Sequence, residues 1–207
     1  MLKQGVPMKM IKWLRSFLEN RQARVKFNGA ESKNRTMRQG LPQGSILSPV
    51  LFLFYINSLA DSLPKKNLNA LFADDVSILS TNSDKDTAAR NVQDSVDHVV
   101  QWAKQWKLCL NAKKSESSFF STSSQEANWK PHIVVDTKVI EFVSSPRFLG
   151  VLLDRSLQFG PHADYIISRI GDKQRIIAAV ANTEWGWRKQ FLVQLYSAFI
   201  HSTLAYA

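Results

Sequence analysis

The chain has 207 residues and a net charge of +10, and its composition, 44% hydrophobic and 21% charged, excludes a disordered polymer and favours one or two globular domains. No apolar run approaches the roughly 20 residues that a helix needs to cross a bilayer, and the first residues carry no secretory signal pattern. The single cysteine, Cys109, excludes an internal disulfide and a cysteine-based zinc site. We therefore expect an intracellular protein, in the nucleus or the cytoplasm, that is not secreted and has no membrane partner.

The positive charge is concentrated at the N-terminal end of the sequence. Residues 1–45 contain ten lysines and arginines but only two acidic residues, Glu19 and Glu31, so this segment carries most of the net charge. Such a segment can be an ordinary solvated surface. It can also attract a polyanion, of which nucleic acid is the commonest, and charge alone does not decide between the two.

The first half of the chain predicts a helix, a hairpin and a second helix. Apolar residues recur at helical spacing over 7–20, and the Asn28-Gly29 pair is typical of a tight β-hairpin turn. Ser48 before Pro49 predicts an N-cap and a first helical position, which opens an apolar helix over 49–61. Because this helix is apolar nearly all round, we expect it to be buried.

The remainder alternates short strands with helices. Residues 69–80 predict two strands that meet at Asp74-Asp75, and 84–106 predict an amphipathic helix. Residues 121–128 are rich in small polar side chains and predict a loop, and 161–207 predict a helical region. Short strands are predicted within 107–111, 117–121, 132–136, 138–143 and 148–154. The order indicates an α+β fold that ends in helices.

Adjacent carboxylates in "FADD" (Phe72 to Asp75) give the sharpest chemical signal. Buried charges must be paired or must bind a metal, and the flanking residues are apolar. Side chains of neighbouring strand residues point to opposite faces, so one aspartate can bind a divalent cation directly while the other supports it. Mg²⁺ suits carboxylate oxygens. An ordinary solvated Asp-Asp turn is the alternative.

A second unusual stretch, "RQGLPQGSILSP", occupies residues 38–49. Gly40 and Gly44 allow the backbone to approach a ligand closely, while Gln43 and Ser45 offer donors and acceptors. The alternative is a Gly/Pro loop that only caps the helix after it.

The two stretches in this order resemble the palm of non-LTR retrotransposon reverse transcriptases. The resemblance continues through "GVPMKMIKWLRSFLENRQARVKFNG" before the loop, "LNAKK" (Leu110 to Lys114), "FLGVLLD" (Phe148 to Asp154) and the last residues, 182–207, which are similar to a thumb. It implies a right-hand polymerase fold, with an antiparallel palm sheet and packed helices over 1–160 and a helical thumb over 161–207.

The resemblance also implies a reaction and its participants. The reaction is RNA-templated DNA synthesis with an RNA template, a DNA primer and deoxynucleoside triphosphates, and its metal, Mg²⁺ or alternatively Mn²⁺, is bound by Asp74 and Asp75. Lys114 stands near the triphosphate as a proton donor, or is a solvated lysine. Phe148, Leu149 and Gly150 position the primer. The template and nucleotide pocket is formed by Arg38, Gln39, Gly40, Pro42, Gln43, Gly44, Ser45, Phe72 and Ala73.

The family pattern has a third carboxylate, on the first palm strand, in a segment of the type F-x-D-x-x-x-A-F-D. The sequence shows neither this segment nor the fingers and endonuclease segments of such an element. We therefore expect this chain alone to be inactive or impaired as a polymerase. The alternatives are a non-catalytic, basic nucleic-acid-binding remnant of a retroelement, and a pseudogene product without function.

Overall fold

A computed structural model describes residues 5–126, 128–181 and 186–206 of the chain. It divides into two compact units, the first containing residues 1–83 and 94–108 and the second containing residues 84–93 and 109–207. Part of the predicted thumb segment, residues 182–185 and 207, lies outside the described residues. The division into a palm over 1–160 and a thumb over 161–207 concerns roles in catalysis and stays a prediction.

The described residues form helices and very short strands. The α-helices are α1 Met8–Leu18, α2 Leu47–Ser62, α3 Lys85–Gln105, α4 Gly160–Val180, α5 Lys189–Tyr196 and α6 Ser202–Tyr206. A 3₁₀ turn occupies Ser124–Glu126, and a π-helical segment, Ser197–His201, joins α5 to α6. The strands are β1 Gln22–Ala23, β2 Lys26–Phe27, β3 Ala30–Glu31, β4 Arg35–Thr36, β5 Leu68–Phe72, β6 Asp75–Leu79, β7 Glu116–Ser117, β8 Val134–Val135, β9 Lys138–Val139, β10 Glu141–Phe142, β11 Arg147–Phe148 and β12 Val151–Leu152.

The strands of the described residues pair two by two. The described pairs are β1 with β4, β2 with β3, β5 with β6, β8 with β9 and β11 with β12, all antiparallel, and β7 with β10, which is parallel. The mixed helix and strand content predicted from sequence is confirmed. The right-hand polymerase arrangement, with its palm sheet and packed helices, stays a prediction.

The core of the first unit lies between α2, α3 and the β5–β6 hairpin. Ile56, Leu59 and Leu63 from the α2 side pack with Val99, Trp102 and Ala103 of α3, and Leu71, Val76 and Ile78 of the hairpin cover this cluster. Polar ties cross the same contact, since the Trp102 indole donates to the Ser58 hydroxyl at 3.0 Å. The predicted burial of α2 is therefore confirmed for one face only.

The start of α2 differs from the sequence prediction. The helix begins at Leu47, after Ile46, whose side chain makes no capping hydrogen bond, and the Ser45 hydroxyl accepts from the Leu47 N–H at 3.3 Å. The Ser48 hydroxyl donates instead to the carbonyl of Pro42 at 2.6 Å, so it is turned back into the preceding loop. Pro49 lies in the first turn, where its missing N–H costs nothing.

The second unit is organised around α4 and short hairpins. The Gln93 side-chain amide binds both the N–H and the carbonyl of Val134, at 2.8 and 2.9 Å, which ties the start of α3 to β8. In the π-helical segment that joins α5 to α6, Ile200 is buried, while the neighbouring Phe199 is half exposed.

The strand predicted over 107–111 is wrong. These residues contain no strand, and Cys109 among them is exposed. Trp106, which follows the last residue of α3, is 40% exposed. Within the described residues, no helix has the length and apolarity that a membrane crossing requires.

The α2 core predicts a stability difference between two leucines of the same helix. Leu59 is 1% exposed and Leu53 is 55% exposed. Leu59→Ala should lower the free energy of unfolding by about 2–5 kcal/mol, because it leaves a cavity. Leu53→Ala should cost about 0.5 kcal/mol or less. Urea unfolding measures both, and equal losses would contradict this account of the core.

Candidate functional site

The aspartate pair lies at the tip of the β5–β6 hairpin. Phe72 pairs with Asp75, so the two-residue turn consists of Ala73 and Asp74, and Asp75 is already the first residue of β6. The predicted meeting point of the strands is thus one residue too late. Ala73 has a φ of +52°, a left-handed conformation that costs an L-residue with a Cβ about 1–2 kcal/mol. A strained residue directly before a candidate ligand is a common feature of functional sites.

Both carboxylates are exposed, although apolar residues flank them in the sequence. The hairpin buries only one face, against α2 and α3, and Phe72 itself is 62% exposed. Among the residues that the structure describes, neither the Asp74 nor the Asp75 carboxylate has a hydrogen-bond or ion-pair partner. Two adjacent carboxylates without partners are available to bind a cation.

Hydrogen bonds fix the loop before α2 in a tight conformation. The Pro42 carbonyl accepts from the Ser45 N–H at 3.3 Å as well as from the Ser48 hydroxyl. Gly44 has a φ of +82°, and no described atom lies within 4 Å of the place where its Cβ would be. The positive φ therefore explains why glycine occupies this position, and no neighbouring atom comes close enough to exclude a side chain.

The loop and the hairpin tip line one open groove of about 540 Å³ in the first unit. It is mostly apolar in lining, with Asp74 as its only charged lining residue among those described. The full set of lining residues is Leu41, Pro42, Gln43, Gly44, Ser45, Ile46, Ser48, Pro49, Phe52, Ala73 and Asp74. Two sequence stretches that are separated by α2 thus meet at one surface.

Some predicted pocket residues lie outside the groove lining. Arg38, Gln39 and Gly40 are exposed in the approach to the loop, and Phe72 and Asp75 flank the lined turn. Arg21 was counted only as part of the basic segment, yet its guanidinium donates to the Gly40 carbonyl. The backbone carbonyl of Arg21 also accepts from the Met37 N–H at 2.8 Å, so Arg21 stabilises the loop.

Phe52 lines the groove but is absent from the pocket residues predicted from the sequence motifs. It is half-buried and lies one turn of α2 beyond the loop. The helical spacing from Ser48 to Phe52, four residues, is the sequence signal that could have placed it beside the loop.

In the second unit, the residues predicted to position the primer form the tip of the β11–β12 hairpin. Leu149 and Gly150 both have positive φ, +47° and +92°, as a two-residue turn requires. The Tyr206 hydroxyl donates to the Leu149 carbonyl at 2.7 Å, and its ring would lie 3.1 Å from a Cβ at Gly150. The adjacent Phe148 is partly exposed. The tip is therefore held from the C-terminal helix α6.

Asp154 closes the segment between this hairpin and α4. Its carboxylate accepts from the Ser156 hydroxyl at 2.8 Å and from the Gln158 and Phe159 N–H groups at 3.2 and 2.5 Å. Desolvation, the largest single effect, acts to raise the pKa of the Asp154 carboxyl, but these hydrogen bonds together hold it below its ordinary value. The ionised form is thus the one that the fold stabilises.

Lys114 is exposed and lies in the second unit. Its backbone N–H donates to the Asn111 carbonyl at 3.0 Å in a turn that the Asn111 side chain also stabilises, by accepting from the Lys113 N–H. Its role as proton donor or as solvated lysine stays a prediction.

The chemistry at the hairpin tip fits Mg²⁺ or Mn²⁺. Carboxylate oxygens are the ligands that both ions prefer, and Asp74 and Asp75 are exposed and free of competing cations. Within the described residues, no three His, Cys, Asp or Glu side chains come together, so these two carboxylates are a partial ligand set.

The basic N-terminal segment is only partly neutralised. Glu19 pairs with Arg15 at 2.6 Å, and Glu31 pairs with Arg24 and Lys26 at 2.5 and 3.4 Å. Other basic side chains of the described segment are exposed and have no carboxylate partner there: Lys9, Lys12, Lys33, Arg35 and Arg38. Lys3 lies outside the described residues.

Comparison with known proteins gives one family for this chain. Residues 2–153 match the reverse transcriptase (RNA-dependent DNA polymerase) family. The chain is 31% identical over 175 residues to the probable RNA-directed DNA polymerase from transposon X-element of Drosophila melanogaster, an alignment that covers 83% of this chain and 19% of that relative. It is 32% identical over 155 residues to the corresponding protein from transposon BS, which covers 72% of this chain and 17% of that relative.

A third relative matches a larger share of the chain. The RNA-directed DNA polymerase from mobile element jockey of Drosophila melanogaster is 26% identical over 189 residues, covering 88% of this chain and 20% of the relative. The chain thus spans about a fifth of the length of these relatives.

The left-handed conformation of Ala73 predicts that its replacement by glycine stabilises the fold. Ala73→Gly should raise the free energy of unfolding by about 0.5–1 kcal/mol, because relief of the left-handed strain outweighs the added backbone entropy of glycine. Ala70→Gly, in the adjacent strand β5, should lower it by about 0.5–1 kcal/mol. Denaturant unfolding of the pair is the measurement, and equal destabilisation would refute the strain at Ala73.

Asp154 predicts a pH dependence. Because its pKa is lowered in the folded chain, it stabilises the fold above its unfolded pKa, and this contribution is lost as the pH falls through the folded pKa. Asp154→Asn should therefore melt at a lower temperature than the parent at pH 7. The difference in melting temperature should shrink as the pH falls below about 4. A difference that stays constant down to pH 2 would show that the carboxylate charge is not involved.

Proposed function

Because the chain belongs to the reverse transcriptase family of RNA-dependent DNA polymerases, we propose that it carries part of a site for RNA-templated DNA synthesis. In this reaction the 3′-hydroxyl of a primer attacks the α-phosphorus of a deoxynucleoside triphosphate, and pyrophosphate leaves. The observation that carries the proposal is the groove where the loop Leu41–Ser45 and the hairpin tip Ala73–Asp74 meet.

The two sides of the groove suit two different tasks. Gln43 and Ser45 present polar groups on a backbone fixed by Pro42 and Gly44, which suits recognition of a nucleotide and its template base. Phe52 and Ile46 add apolar surface for a base or a sugar. A rigid loop at the start of a packed helix limits the motion of the bound nucleotide, and such positioning is a major source of rate enhancement.

The hairpin tip supplies the negative charge of the proposed site. Asp74 and Asp75 would bind Mg²⁺ or Mn²⁺, which when bound supplies charge stabilisation for the attacking and leaving oxygens. The carboxylates themselves would fix the position of the metal ion and of its positive charge. The turn at residues 73 and 74 limits their motion, because the paired strands β5 (Leu68–Phe72) and β6 (Asp75–Leu79) hold it on both sides.

We propose further that residues 1–207 alone turn over slowly. The described part of the chain brings two carboxylates to the hairpin tip, whereas the family pattern uses three. Two metal ions need more anionic ligands than two adjacent aspartates provide. Robust Mg²⁺-dependent primer extension by this chain alone would overturn the point.

A second candidate function, non-catalytic nucleic-acid binding, is favoured by one specific observation. Lys9, Lys12, Lys33, Arg35 and Arg38 are exposed cations without acidic partners in the described segment. A binding protein of this kind needs the cations but not the aspartates. Substitution of the aspartates at the hairpin tip therefore distinguishes the two functions.

Substitution of the aspartate pair tests the catalytic proposal. Asp74→Asn with Asp75→Asn should remove Mn²⁺ binding at the hairpin tip, measured by electron paramagnetic resonance, and lower any primer extension by about 10²-fold or more, because charge stabilisation is lost. Asp61→Asn with Asp86→Asn makes the same change of charge on exposed carboxylates outside the groove lining and is the matched control.

The two functions give opposite patterns in this experiment. If the hairpin variant keeps the parent's Mn²⁺ binding and extension, the catalytic proposal fails. If the parent binds RNA but shows neither metal binding nor extension, and the hairpin variant binds RNA as tightly or slightly more tightly, the non-catalytic function is supported. Loss of metal binding in the control as well would mean that the tip is not a specific site.

A further inference from the structure

Two arginines and a tyrosine converge on the surface of the second unit, next to the β11–β12 hairpin tip. Arg147 belongs to β11, and Tyr165 and Arg169 lie one helical turn apart on α4. The guanidinium carbon of Arg147 lies 4.6 Å from the centre of the Tyr165 ring, and that of Arg169 lies 5.6 Å from it. Arg169 also donates to the Tyr165 hydroxyl at 3.2 Å. One ring therefore holds two positive charges.

This cluster lacks a balancing negative charge. Among the residues that the structure describes, neither Arg147 nor Arg169 has a carboxylate within ion-pair distance. Arg175, farther along the same helix, does have one, since it pairs with Asp172 at 3.3 Å. Both guanidiniums of the cluster are exposed, whereas Tyr165 is half-buried, so the ring fixes the two charges at the surface.

The two arginines change the pKa of the Tyr165 phenol. Desolvation, the largest single effect, acts to raise the pKa of the Tyr165 phenol, yet the interactions of Arg147 and Arg169 with it lower the pKa below its ordinary value. An environment that favours a negative oxygen at this point also favours another bound anion.

We propose that Arg147, Tyr165 and Arg169 form a binding site for a backbone phosphate of a nucleic-acid strand. Guanidinium groups match phosphate oxygens with paired hydrogen bonds, and stacking on the ring lowers the entropy lost when they bind. The inference rests on the proposed function, because it takes the nucleic acid of that reaction as the ligand.

A polymeric strand fits the surroundings better than a free nucleoside triphosphate. Phe148 and Leu149 follow Arg147 directly and are each 37% exposed, so an apolar contact for a sugar or a base lies beside the phosphate site. The hairpin tip is held in place by Tyr206. A strand can occupy both surfaces at once. A triphosphate would still share the phosphate chemistry, and the experiment separates the two sources.

The test is the salt dependence of binding to a fluorescent RNA–DNA hybrid, followed by anisotropy with the full chain. Arg147→Gln combined with Arg169→Gln should lower the slope of log K against log salt by about 0.7–0.9, the value for one phosphate contact, and each single variant should lower it by a part of that amount. At 0.1 M salt the combined variant should weaken binding by about 5-fold. Arg175→Gln is the matched control on the same helix and should leave the slope unchanged.

Two further arms sharpen the result. Lysine at positions 147 and 169 (R147K with R169K) should restore the slope, since charge is kept, but not the full affinity, since the paired geometry is lost. A deoxynucleoside triphosphate added as competitor should displace the hybrid equally from the parent and from the glutamine variants. If it displaces the hybrid from the parent only, the site is one for triphosphate and the proposal of a strand is overturned.

Failure of this inference is distinct from failure of the proposed function. If the parent binds the hybrid with a steep salt dependence but Arg147→Gln and Arg169→Gln match Arg175→Gln, the cluster is not a phosphate site and the groove is unaffected. If the parent does not bind the hybrid at all, the proposed function and this inference both fail. Circular dichroism melting of each variant shows whether a lost contact is only a lost fold.

Discussion

The packing of one face of the β5–β6 hairpin against α2 and α3 is the contact on which the candidate site depends. Leu71, Val76 and Ile78 cover the core cluster around Leu59, and strand alternation then sends the neighbouring side chains outward. The same packing brings the hairpin tip beside the loop that starts α2. A groove with a carboxylate on one side and a Gly/Pro loop on the other follows from this single arrangement.

The sequence could predict the elements whose signals are local. The Asn28-Gly29 turn, with both residues at positive φ, and the amphipathic helix α1 follow from a dipeptide and from helical periodicity. The order of the two key motifs was equally visible. That they share one groove was not, because this depends on α2 and the hairpin packing together over more than 20 residues of sequence.

The errors have specific physical reasons. Ser48 has the sequence position of an N-cap, but the helix already begins at Leu47, where the Ser45 hydroxyl accepts from the Leu47 N–H, and the Ser48 hydroxyl donates back to the Pro42 carbonyl. The apolar residues that flank the aspartates left open whether the pair is buried or solvated, and a hairpin with one packed face leaves its tip in water.

The central claim is that Asp74 and the loop around Gly44 form one metal-dependent nucleotide site, and backbone NMR with substoichiometric Mn²⁺ tests it most directly. The account predicts that the amide signals of Asp74, Asp75, Gly44 and Ser45 are the first to lose intensity, because Asp74, Gly44 and Ser45 line one groove and Asp75 adjoins Asp74. It also predicts that this loss disappears in Asp74→Asn with Asp75→Asn. Broadening centred elsewhere, or broadening that persists in the double variant, would contradict the account.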